Sequence, residues 1–263
     1  MQDSKNNADY LWESVKREAA EIEISEPVLA PLLRETVSDR LDLFDAVSWR
    51  ISRKLGRNAV SSSDFYKLFR DAFDADESIR NNVVADIIAV KSRDPACASF
   101  LNLLLYLKGF QSITTHRVAH RLWNADRKAL AYYLQSISSE IFGVDIHPAA
   151  RFGGGIMLDH ATSFVAGETS VVEDNVSILH EVTLGGTGNE TGDRHPKVRS
   201  GVLIGAGAKL IGNIVIGEGA KIGAGSVVLD DVEPHTTVAG VPARKVGTTS
   251  EKSPAADMNQ HLC

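Results

Sequence analysis

From Ile146 to Val228 an apolar residue falls at every sixth position, in three registers. The first is Ile146, Phe152 and Leu158; the second is Ala166, Val172, Ile178 and Leu184; the third is Val198, Ile204, Leu210, Ile216, Ile222 and Val228. A period of six matches neither the 3.6 of an α-helix nor the 2 of an ordinary strand. Four residues after each, wherever the register runs on, stands a small or aliphatic side chain: Ala150, Ile156 and Thr162; Ser170, Val176 and Val182; Val202, Ala208, Ile214, Ala220 and Ser226. Such fixed-period self-similarity marks a repeat architecture. A six-residue unit with two inward positions suits a short strand and a sharp corner, and three such strands close a triangular coil of about eighteen residues. Stacked coils then bury a continuous apolar column. Glycine or asparagine at 205, 207, 212, 213, 217, 219, 223 and 225 falls where corners are expected, as residues that tolerate positive φ. A run of β-hairpins is the alternative, but it predicts period-two alternation and paired turn residues, which the third register lacks.

The register breaks twice. Leu158 and Ala166 are eight apart, so one corner holds two extra residues. Leu184 and Val198 are fourteen apart, and the polar, glycine-rich stretch 185–197 between them is a loop extruded from the coil. A loop carried on a rigid scaffold is where function concentrates.

Upstream, apolar residues recur at three and four, as in Leu29, Leu32, Leu33, Val37 and Leu41, or Val83, Ile87 and Ile88. Those are helical faces. Ser63-Asp64 and Asp76 resemble helix starts, and Asp94-Pro95 is expected to open another helix with proline in its first turn. Residues 1–142 therefore form an all-α domain, 143–247 the coil, and 248–263 a polar, mobile tail. A net charge of −6 gives no reason to expect nucleic acid or an anionic membrane. No apolar run reaches the length of a membrane span, and the N-terminus lacks the apolar stretch of a secretory signal. Two cysteines, Cys97 and Cys263, are too few for a disulfide framework, which points to the reducing cytoplasm.

Histidines mark the coil. His160 and His180, twenty apart across the two-residue insertion, share a position in the hexad and are expected to stack at one corner. Asp145 lies fifteen residues before His160, close to one coil. An imidazole takes a proton near neutral pH, and a carboxylate on its other nitrogen fixes its tautomer. Solvated corner residues are the plainer reading of any one of them. A zinc site drawing on His147, His160, His180 and His195 is another, although no pair has compact ligand spacing. His116 and His120 read as a helix-surface pair, Cys97 as a small buried apolar residue, and the Gly185–Gly188 run lacks the ending of a phosphate-binding loop. A non-catalytic assembly subunit stays open as well.

The hexads resemble those of the hexapeptide acyltransferases, whose coils are left-handed parallel β-helices. More specific are Asp-Ile-His-Pro-Ala-Ala at 145–150, Gly-Ile-Met-Leu-Asp-His-Ala-Thr at 155–162, Val-Thr-Leu-Gly-Gly-Thr-Gly at 182–188, Gly-Asp-Arg-His-Pro-Lys at 192–197 and Ala-Gly-Val-Pro-Ala-Arg at 239–244. With Ser-Arg-Asp-Pro-Ala-Cys at 92–97 and Tyr-Leu-Lys-Gly-Phe at 106–110, these resemble the serine O-acetyltransferase family over both halves of the chain.

The resemblance implies an α+β fold: an N-terminal helical domain, then a left-handed parallel β-helix with an extruded loop and a C-terminal tail. It implies acetyl transfer from acetyl-CoA, a co-substrate, to the L-serine hydroxyl, with no permanently bound cofactor and no metal. His160 would be the general base, paired with Asp145, and Gly186 would give a backbone N–H to the oxyanion. His195 would be a second active-site histidine, Arg194 would hold the serine carboxylate, and Asp94 and Asp159 the ammonium and polar groups. Ala206, Lys221 and Arg244 fall where relatives meet coenzyme A, though plain solvated charge is the alternative for the two cations. Relatives form homo-oligomers, a dimer of trimers, with the active site between neighbouring coils and with inhibition by L-cysteine; Met258 lies in the stretch tied to that feedback. Many also bind O-acetylserine sulfhydrylase through a terminal isoleucine. This sequence has Cys263 there, so that partner rests on the resemblance alone.

Overall fold

The computed structural model describes residues 2–57, 60–249, 251 and 253–262, and the chain divides after Leu107 into two compact units. The first is helical: α1 (Gln2–Ser25), α2 (Ala30–Leu33) between a 3-10 turn and a π turn, α3 (Leu43–Leu55), α4 (Ser62–Ala75), α5 (Glu77–Arg93) and α6 (Phe100–Tyr106). Local chemistry sets the boundaries. Asp42 caps α3, Ser61 and Asp64 form a reciprocal capping box on α4, and Asp76 caps α5. Phe65, Phe69 and Phe73, one helical face of α4, are fully buried. The Asp94-Pro95 pair does not start a helix. Asp94 closes α5 and accepts from the Ala96 N–H at 2.8 Å, and Ser99 caps α6 five residues later. A carboxylate bonded two residues on makes a turn, which competes with helix initiation.

The second unit opens with α7 (Lys108–Asn124) and α8 (Lys128–Phe142), which pack on each other and on the first rungs of the coil. Gly143, at φ 67°, ends α8 and turns the chain into the coil. The first coil is β1 (Val144–Ile146), β2 (Arg151–Phe152) and β3 (Met157–Leu158), and the second is β4 (Phe164–Ala166), β5 (Val171–Val172) and β6 (Ser177–Ile178). Then come β7 (Thr183–Gly185), β8 (Lys197–Val198) and β9 (Leu203–Ile204), followed by β10 (Lys209–Ile211), β11 (Val215–Ile216) and β12 (Lys221–Ile222). A last coil runs through β13 (Val227–Val228), a bridge at Val232 and β14 (Thr236–Gly240), against which β15 (Ala243–Thr248) folds back antiparallel.

Three parallel sheets result, and their registers are the hexad registers. Ile146, Ala166, Leu184, Leu210 and Val228 stack on one face. Phe152, Val172, Val198 and Ile216 stack on the second, and Leu158, Ile178, Ile204, Ile222 and Val238 on the third. Each fully buried aliphatic side chain in such a column contributes roughly 1.5–3 kcal/mol of transfer free energy. The second inward row is buried from Ala150 to Ser226 with one exception. Thr162 is exposed, and Phe164 takes the inward place because the two-residue insertion shifts the register there. The glycines divide by cause. Gly219 has φ 62°, as a corner requires, whereas Gly217 has ordinary φ and is needed because a Cβ would strike the backbone of Pro234 on the next coil.

Two further expectations change. His116 lies not on the outer surface of α7 but on its buried face, 5% exposed, its Nε2 at 3.1 Å from the Ala150 carbonyl. The tail is not loose throughout its described part. A short helix, α9 (Pro254–Asp257), buries Pro254 and Ala255, and the Ser177 hydroxyl donates to the Ala255 carbonyl at 2.8 Å. Cys263 lies outside the described residues.

Candidate active site

His160 sits in the corner that carries the two inserted residues. His160 and Ala161 are consecutive left-handed residues, at φ 53° and 57°. L-residues pay about 1–2 kcal/mol for that conformation, and such strain clusters at functional positions. Burial of Ala161, 1% exposed, anchors the corner and leaves the His160 side chain 76% exposed. Its ring meets His180 edge-on at 5.9 Å, as the shared hexad position requires. Asp159 Oδ1 lies 3.8 Å from His160 Nε2.

Asp145 projects from β1 on the face that follows this corner, one rung away, beside Val165. It accepts from Gln135 Nε2 at 2.7 Å, and among the described residues no hydrogen bond or ion pair joins it to His160. The two therefore stand on adjoining rungs and, among the described residues, are not joined by a hydrogen bond or ion pair.

The extruded loop returns at the opposite edge of the same face, between β7 and β8. Lys197 pins it: Nζ reaches Asp193 Oδ1 at 2.6 Å, the His195 carbonyl at 2.6 Å, the Thr169 carbonyl at 3.1 Å and Asn213 Oδ1 at 3.1 Å. The Lys197 bond holds the Asp193 carboxyl below the usual carboxylate range. Thr169 Oγ1 accepts from the backbone N–H of Arg194 and of His195 at 3.0 and 3.1 Å. Arg194 Nη2 donates to Glu168 Oε2 at 2.8 Å, a bond that lowers the Glu168 pKa. His195, 7% exposed, rests on Gly167, where a Cβ would fall inside its ring. Burial, then Arg194 and Lys197, push its pKa below the ordinary histidine value. Gly186 backs onto the same pair, with an added Cβ meeting Arg194 at 3.3 Å and His195 Nε2 at 3.4 Å.

The structure thus brings Arg194, His195 and Gly186 together at one edge, and His160 with Asp159 at the other. Asp94 belongs to the first compact unit. Ala206 occupies a corner, its carbonyl accepting from the Gly225 N–H at 2.7 Å. Lys221 is not a solvated charge. It is 5% exposed, donates to the His261 carbonyl at 3.2 Å and lies 3.4 Å from Glu251, both of the tail. Arg244 is exposed and pairs with Asp230 at 3.8 Å. Cys97 is buried, and burial pushes its thiol pKa up, so it is held as the poorly nucleophilic thiol. Among the described residues no group of three His, Cys, Asp or Glu is arranged to hold a metal ion.

Sequence reading missed Glu168, Thr169 and Gln135. The first two were findable, because the loop adds eight residues to the eighteen-residue coil. Positions 26 apart are thus stacked, as Val172 and Val198 are, and this sets 167–169 over 193–195.

A strained histidine corner and an arginine–histidine loop on a hexad coil define an acyltransferase of the hexapeptide class, and residues 195–230 match the bacterial transferase hexapeptide family. Residues 11–115 match the N-terminal domain of serine acetyltransferase. The chain belongs to the serine acetyltransferase family. It is 50% identical over 254 residues to a serine acetyltransferase of Salmonella typhimurium, covering 97% of this chain and 93% of the relative. A crystal structure of the Brucella abortus serine acetyltransferase with coenzyme A is 53% identical, with TM-score 0.91, covering 93% and 98% of the two chains. A serine acetyltransferase in complex with cysteine is 49% identical, with TM-score 0.94, covering 98% and 100%.

Proposed function

We propose that this chain transfers the acetyl group of acetyl-CoA to the hydroxyl of L-serine, giving O-acetyl-L-serine and CoA, as the first step of cysteine biosynthesis, and that L-cysteine inhibits it. The observation that carries the reading is likeness over nearly the whole chain, in sequence and fold, to serine acetyltransferases, one with coenzyme A bound and one with cysteine.

In the mechanism, His160 takes the serine hydroxyl proton as that oxygen attacks the thioester carbonyl. The Gly186 N–H stabilises the oxyanion of the tetrahedral intermediate. Its collapse breaks the carbon–sulfur bond, and the imidazolium returns the proton to the CoA thiolate. Asp145 serves as the carboxylate partner of His160. Arg194 and His195 take the serine carboxylate, an anion suited to a guanidinium, while Asp94 and Asp159 face the ammonium. Lys221, Arg244 and the Ala206 backbone serve coenzyme A. Lys221 reaches that role once its bonds to the tail are exchanged for a phosphate. Transfer is direct, without an acyl-enzyme. The working molecule is a homohexamer, a dimer of trimers, in the cytoplasm; the sulfhydrylase partnership is left with the resemblance.

Thiol release from acetyl-CoA, followed with a panel of amino-acid, sugar and amine acceptors, tests the assignment. Serine is expected to be the preferred acceptor, and a different preference would sink the specific reading while sparing the acyltransferase class.

A further inference from the structure

His195 has two ring nitrogens, and the chain determines which one carries the proton. The Thr169 backbone N–H points at Nδ1 from 3.2 Å, and the Thr169 hydroxyl lies 2.9 Å from the same atom. A backbone N–H can only donate, so Nδ1 is the bare nitrogen and the ring proton sits on Nε2. The hydroxyl accepts the N–H groups of Arg194 and His195, and its own proton has both Nδ1 and the Asp193 carboxylate as acceptors. Among the described residues nothing accepts from Nε2. From these bonds we infer that Thr169 is a positioning residue: its backbone N–H fixes His195 as the Nε2–H tautomer, and its hydroxyl, bonded to the Arg194 and His195 N–H groups, holds that imidazole aimed as a hydrogen-bond donor to the carboxylate of the amino-acid acceptor rather than as a second base. This rests on the serine acetyltransferase reading above and adds to it a residue acting through another.

The surroundings keep the ring neutral. Arg194 and Lys197 face it from the loop and β8, with His147 and Glu168 from the corners that follow β1 and β4. The two cations and burial outweigh the one carboxylate, so His195 resists protonation. A neutral ring donates from one nitrogen only, and the Thr169 backbone N–H makes that nitrogen Nε2.

The hydroxyl can be removed while the backbone N–H stays, which makes the inference testable. In Thr169→Val the hydroxyl is lost at nearly constant volume, and KM for serine is expected to rise about 10-fold, with kcat changed less. Thr169→Ser, which keeps the hydroxyl, should match the wild type. The inference is overturned if Thr169→Val leaves KM unchanged, if it lowers kcat as much as it raises KM, or if Thr169→Ser is as impaired as Thr169→Val. A wild-type enzyme that does not take serine at all overturns instead the reading on which it rests, which the acceptor panel detects separately.

Discussion

At the scale of single residues, the proposed chemistry gathers at the His160 corner. Two extra residues and two consecutive left-handed conformations push an imidazole out of the coil. Replacing His160 with alanine is expected to lower turnover by at least about 10²-fold while the assembly state, read by sedimentation, is unchanged. A near-normal rate would remove it from the mechanism. Cys97→Ala should keep turnover within about 2-fold, because a buried thiol held protonated offers no nucleophile. Trapping an acetylated Cys97 by mass spectrometry would refute direct transfer. The stacking of His160 on His180 was legible from spacing, since a fixed repeat converts sequence separation into position. The bond from Gln135 to Asp145 was not, because the helix that carries Gln135 lies outside the repeat.

At the scale of elements, α7 is held to the coil by contacts that its helical pattern hides. Gly109 is required there: a Cβ would drive into the Leu158 carbonyl at the end of β3, two residues before His160. Gly109→Ala is expected to cost about 1–3 kcal/mol or more, seen as a lower unfolding midpoint. His116 adds a pH term. Burial holds its pKa well below the ordinary 6.5, so below that pH the unfolded chain binds a proton that the folded one refuses. Its contribution to stability is whole above pH 6.5 and is lost as pH falls from there toward the folded value, by up to about 1.4 kcal/mol per pH unit. The melting temperature of His116→Gln should therefore drop less between pH 7.5 and 5.5 than that of the wild type; equal drops would refute the assignment. The hydrophobic pattern misplaced His116 because it counts polarity, whereas a neutral histidine with one ring nitrogen on a backbone carbonyl can be held in the interior.

At the scale of the whole molecule, one chain does not assemble the proposed site. His160 stands at the edge where the face bearing β4 begins, and His195 where that face ends. If neighbouring subunits supply the two edges, His160→Ala and His195→Ala, each impaired alone, should regain activity when co-expressed. About a quarter of the sites in randomly mixed rings would then hold both histidines. Activity no higher than that of the two parents would place each site within one subunit. The amino-acid sequence alone determined the coil, its registers, both insertions and the histidine corner, because a six-residue period is a local rule repeated until stacking is the only way to bury it. Tertiary structure alone decided what each polar group is bonded to. Lys221 beneath the tail and His116 against the coil are pairings between residues 40 and 34 positions apart, and no local pattern encodes a partner at that distance.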